Sequence, residues 1–119
     1  MSSNVDVVLQ TIRAVEQRDA QALFALYHPE RTWLGTWGPL QPTEAERRMD
    51  PRVVAANDRE VVVLYRQRGL DPTGERFDAP VVGLYEVHEG KFARAQMFHF
   101  DTAAVVKFLT EAQRRRGPA

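Results

Sequence analysis

Cysteine is absent from the 119 residues, which excludes disulfides, thiolate metal sites and a cysteine nucleophile. Long apolar runs are absent as well. Nothing approaches the roughly 20 residues that a bilayer span requires. The opening MSSNVDVVLQ has no basic region ahead of an apolar stretch, so neither a membrane segment nor a signal peptide is expected. Neither sign of charge is in excess: 16 basic and 16 acidic residues cancel. No global field therefore favours nucleic acid or a membrane surface. The RRR run at 114–116 is a short terminal stretch, too small for a nucleic-acid footprint.

The motifs of several chemistries are missing too. Without HExxH, clustered histidines or an EF-hand loop, no metal site is expected. Without GxGxxG or GxxxxGK[ST] there is no phosphate cradle, and without GxSxG no serine-hydrolase elbow, so no cofactor is expected. What remains is ordinary: 44% apolar and 27% charged residues. A chain of this length buries a real core as one domain. A cytoplasmic location fits, since nothing here requires an oxidising compartment.

Along the chain, Val5, Val8, Leu9, Ile12 and Val15 recur at helical spacing behind a Ser3–Asp6 capping pattern, predicting a helix over about 4–18. Asp19 caps a second helix whose stripe of Leu23, Leu26 and Tyr27 runs until Pro29. In RTWLGTWG, a helix would place Trp33 and Trp37 on one face, and so would a strand; local pattern leaves both open. Pro39 and Pro42 bracket a loop, and TEAERRMDP holds at most one exposed helical turn. Beyond it, Arg52–Ala56, Glu60–Arg68, Glu75–His88 and Phe92–Phe100 read as strands. The turns between them are NDR, DPTG and HEGK, and Pro80 marks a bulge or an irregular strand start. Asp101 and Thr102 open a closing helix that buries Val105, Phe108, Leu109 and Ala112. Helices, then an antiparallel meander, then a helix make an α+β fold.

This order resembles the SnoaL-like branch of the nuclear transport factor 2-like superfamily, the relatives of ketosteroid isomerases and polyketide cyclases. The residues that carry the resemblance are ALYHPE, the hairpins REVVVLYRQRG and GLYEVHEGKF, and the ending FDTAAVVKFL. The resemblance implies a cone: a curved antiparallel sheet wrapped around N-terminal helices, with a C-terminal helix, usually as a homodimer. It covers residues 1–116 as a single domain, with 117–119 as a frayed tail. Members usually carry a strand and a mouth loop after the HPE-like element. Here Glu30 runs into Arg31, so the chain looks shortened near residues 30–31 by something on the order of 20 residues, with Thr32 to Trp37 on the remnant of the third helix.

Such a cone implies an apolar cavity. Trp33 and Trp37 then form either an aromatic wall for a flat ligand or packing for the core or dimer. Tyr65 and Tyr85 fall in adjacent strands where a phenol donates to a ligand carbonyl or simply packs. Gln96 shares a strand face with Phe98 and is a polar contact for a ligand. Relatives place an acid three positions before the residue that opens the last helix; the equivalent here is Phe98, so that acid is absent. The remaining acid–base candidates are few. His99 and Asp101 make an orienting pair or, alternatively, a surface histidine and a helix cap. Asp78 enters near the mouth or marks an irregular strand start. His28 reads as charge at a helix C-terminus.

Together these readings point to a domain that binds a hydrophobic, aromatic or polycyclic small molecule. If catalytic, it is a cofactor-independent isomerase or cyclase working by proton transfer. The alternative is a non-catalytic dimeric carrier or interaction module whose cavity is filled by its own side chains.

Overall fold

The computed structural model describes residues 3–33 and 43–115. Helix α1 spans Asn4–Gln17. Its start is fixed by a reciprocal cap: the Asp6 amide donates to Ser3 Oγ at 3.1 Å, and the Ser3 amide to Asp6 Oδ2 at 3.3 Å. Arg18, in the left-handed region at φ 55°, closes it. One residue later Asp19 Oδ1 accepts the Ala22 amide and starts α2, Ala20–Leu26. The chain thus reverses within a two-residue joint.

The second helix ends before the expected Pro29. Tyr27 is already extended, and Tyr27–Trp33 form strand β1 with His28 and Pro29 inside it. Strand β1 runs parallel to β5 at the edge of the sheet, where a proline without an N–H is tolerated. Thr32 and Trp33 therefore close a strand instead of opening a helix, as the remnant of a third helix would require. The rest of that expected helix lies outside the described residues.

A short helix α3, Glu44–Arg47, is capped by Thr43. The meander follows: β2 Arg52–Ala56, β3 Glu60–Leu70, β4 Arg76–His88 and β5 Lys91–His99. Sheet order is β1-β5-β4-β3-β2, antiparallel except for β1. Turn 71–74 is built on Asp71, and Glu89 and Gly90 turn the last hairpin with positive φ. Helix α4, Thr102–Arg115, starts on Asp101, whose Oδ1 accepts the Ala104 amide at 3.0 Å.

Pro80 needs no bulge. It pairs with Arg66 in an unbroken β3–β4 register. The Val87 amide donates to the Arg59 carbonyl, so residues 59 and 87 form a hydrogen-bonded pair. Counting in twos, Arg66 and Pro80 fall in a non-hydrogen-bonded pair. The missing N–H of Pro80 then faces the β5 side, where pairing has already stopped at Val81 with His99.

Alternation sorts the sheet into two faces. Val61, Val63, Tyr65, Val81, Tyr85, Val87, Phe92 and Ala95 are buried against Val7, Val8 and Ile12 of α1. This is the inner face. Fully removing a Val- or Phe-sized side chain from water stabilises by about 1.5–3 kcal/mol, so the α1–sheet contact dominates the fold. Helix α4 adds a second contact, setting Val105 and Phe108 on Phe77 with the two rings 5.2 Å apart. Among the described residues no helix is long and apolar enough to cross a membrane.

Candidate functional site on the inner face

Tyr65, Val81 and His99 stand side by side across β3, β4 and β5. One pair further along, Val63, Gly83 and Met97 form the neighbouring row, and Val61, Tyr85 and Ala95 the next. Gly83 is what shapes this patch. A Cβ there would lie 2.5 Å from the Tyr85 hydroxyl and 2.6 Å from ring atom Cζ. Tyr85 therefore lies down along its own strand across a bare glycine. Its hydroxyl reaches Tyr65, and the two phenols hydrogen-bond each other.

Both phenols are buried, at 5% and 4% exposure. Burial pushes the Tyr65 hydroxyl up to about 12, against an opposing pull from its bond to Tyr85. Burial also raises Tyr85, and Tyr65 beside it raises it further.

His99 occupies the same row with its Nδ1 buried and without a hydrogen-bond partner among the described residues. The anticipated orienting pair with Asp101 does not form; the Asp101 carboxylate caps α4 instead.

Three other expected site residues lie on the opposite face. Gln96 and Phe98 pair with Leu84 and Val82, and Phe98 is 50% exposed. The cause is an extra residue in β5: Val87 pairs with Phe92 but Glu86 with Arg94. Beyond that bulge the inward residues are Ala95, Met97 and His99 instead of 94, 96 and 98. Asp78 is also outside, accepting from Arg66 Nε at 2.9 Å and Arg68 Nε at 3.3 Å. Burial alone would raise its carboxyl, but the two guanidinium bonds outweigh this and the net direction is downward. A carboxylate so paired does not serve as a base at the mouth. Trp33 lies in β1 opposite Ala95, and Trp37 lies outside the described residues.

Sequence patterns passed over two residues that matter here. Gly83 had a signal in GLY, a glycine two positions before an aromatic in a central strand. Glu46 had none, because it sits in a polar stretch, yet it is 3% exposed and paired with Arg76. A separate open groove of about 470 Å3 lies at the β2–β3 turn, lined by Asn57, Asp58, Arg59, Glu60 and Glu86. The groove is polar and its groups serve the turn: Asn57 Oδ1 accepts the Arg59 and Glu60 amides at 2.9 and 2.8 Å. No cluster of metal-ligating side chains occurs among the described residues.

A meander laid around two N-terminal helices, with tyrosines and a histidine on its concave side, invites comparison with solved structures. TerC, co-crystallised with polyporic acid, superposes with a TM-score of 0.71 at 20% identity over 92% of this chain and 99% of its own. An NTF2-like protein of unknown function from Burkholderia pseudomallei gives 0.71 at 21% identity over 92% and 99%. The chain has an NTF2-like fold. A candidate polyketide cyclase from Pseudomonas putida aligns with it at a TM-score of 0.63 and 17% identity, over 90% of this chain and 98% of that one. No family model and no curated protein matches the sequence.

Within this NTF2-like fold, the inner face presents the Tyr65–Tyr85 phenol pair and, in the Tyr65 row, a His99 Nδ1 with no hydrogen-bond partner among the described residues.

Proposed function

We propose that this NTF2-like domain binds a hydrophobic aromatic or polycyclic small molecule against the inner face, beside Tyr65 and His99. The observation that carries the proposal is the buried Nδ1 of His99, unpartnered among the described residues and in one row with Tyr65. An orphaned buried nitrogen costs about 1–3 kcal/mol, and a bound ligand is a natural partner for it. The TerC structure co-crystallised with polyporic acid and the candidate polyketide cyclases among similar structures support the same direction.

The catalytic form of the proposal is cofactor-independent proton transfer. His99 takes a proton from carbon next to a ligand carbonyl, and Tyr65 donates to the oxygen on which negative charge develops. A second copy of the chain is the partner we propose for the outer face, where Val82, Phe98 and Phe100 are 37%, 50% and 84% exposed. The cytoplasm remains the proposed compartment.

The test is a nitrogen NMR titration of the three histidines, with His99 assigned by His99→Gln. Hydroxylated naphthalenes and steroids serve as probes. A saturable shift at His99, weakened in Gly83→Ala where Tyr85 is displaced, is the expected outcome. If no member of either class moves His99, the small-molecule proposal is wrong.

A further inference from the structure

The outer face of the sheet divides into three bands. Val62, Leu64, Val82, Leu84 and Phe98 alternate onto it and form a central apolar band, in which Val82 is 37% and Phe98 50% exposed. At one end Glu60 and Glu86 stand directly opposite each other, two like charges in one cross-strand pair. Both line the open groove at the β2–β3 turn with Asp58, Asn57 and Arg59, so three carboxylates share one guanidinium there. Glu60 Oε1 accepts only the Asn57 side-chain amide, at 3.1 Å. At the other end stand Arg66 and Arg68 with Asp78. Among the described residues Arg66 donates through Nε alone, to Asp78, which leaves its two Nη groups for a further acceptor.

An apolar band between an acidic end and an arginine end fits a copy of itself turned half round. Take two such faces related by a two-fold axis that runs across the strands, level with the Val63–Gly83 pair. Val62 then meets the partner's Leu64, and Leu84 meets the partner's Val82. The same operation carries the partner's Arg66 to Glu60, and does so twice, because the contact is isologous. An axis running along β4 instead sets Glu60 on the partner's Arg94 but opposes Glu86 to the partner's Glu86. Like charges held together in a dehydrated interface are costly.

We propose that the outer face pairs with a second copy in the first of these arrangements, with the groove at the β2–β3 turn as the socket for the partner's Arg66. This rests on the second-copy reading above and specifies which ends meet. The Glu60–Glu86 pair, unfavourable within one chain, gains its cation from the other.

Sedimentation velocity over a concentration series, with charges reversed at the two positions, is the experiment. Glu60→Arg and Arg66→Glu should each raise the dimer dissociation constant, by roughly tenfold to a hundredfold for two opposed pairs. Joining the two reversals in one chain should restore it. Within a chain the two residues lie six apart in β3, about 20 Å, so rescue arises only between chains. Glu60→Gln and Arg66→Gln are the backstop should a reversal not fold. Each weakens the dimer, and together they weaken it less than the two effects added. A dimer that neither reversal weakens, or that is restored by joining Glu60→Arg with Arg94→Glu instead, overturns the arrangement and leaves the second copy standing. A wild type that stays monomeric across the series overturns both.

Discussion

The two ends of the inner face are made from similar residues and do opposite things. At one end Phe92, 1% exposed, packs against Tyr85 with ring centroids 5.3 Å apart and Tyr27 at 5.6 Å. Val8, Val61 and Val87 close around them. At the other end stands His99, beside Tyr65, with a buried nitrogen unpartnered among the described residues. The first end is a filled core and supplies stability. The second leaves a buried polar nitrogen without a partner among the described residues, which a purely structural core avoids.

The largest effect expected from this division is at Phe92. Phe92→Ala opens a cavity in the filled end and should cost about 3–5 kcal/mol in urea unfolding. His99→Ala, at the other end, should change stability far less, since along with its packing it removes a nitrogen that is unpartnered among the described residues. Equal losses would show that the two ends are one structural core.

A smaller effect separates the ends by pH. The Tyr65 hydroxyl has an ordinary value of 10 in the unfolded chain and about 12 in the fold. The fold therefore favours the neutral phenol. That contribution is whole below pH 10 and is lost as pH climbs to 12, a loss of about 3 kcal/mol by linkage. Tyr85 acts in the same direction. Unfolding free energies at pH 9 and pH 11.5 should show the fall, and Tyr65→Phe should flatten part of it.

Much of the fold was readable because its signals are local. Ser3 with Asp6, Asp19 before Ala22, and DPTG each act over four residues or fewer, and the structure uses all three. What escaped was decided by distant partners. YHPERTW reads as a helix end until β5 offers it an edge to pair with. Alternation in β5 runs true from Lys91 to Phe92, then the extra Ala93 reverses which residues face inward. That one residue moved Gln96 and Phe98 out of the candidate site and Met97 and His99 into it. Glu46 was illegible for a related reason: burial of a glutamate in EAER depends on α1 and β3 packing over it.

The smallest effect tests the other side of the sheet. Asp78 holds Arg66 and Arg68 together, while Arg68 also reaches Asp50 at 2.9 Å and the Arg48 carbonyl at 2.8 Å. The Asp78 side chain is 48% exposed, so water and salt screen the network, and the remaining partners keep Arg68 in place. Asp78→Asn should cost no more than about 1 kcal/mol, less at high salt. Its carboxyl is lowered from 3.8 in the fold, so the contribution is present above that pH and disappears only as pH falls below it. Near neutrality the wild-type and variant unfolding curves should nearly coincide, and the His99 shift on adding 1-naphthol should be unchanged. A variant that folds normally but no longer shifts His99 would mean that the two faces communicate, and that the outer arginine cluster belongs to the site after all.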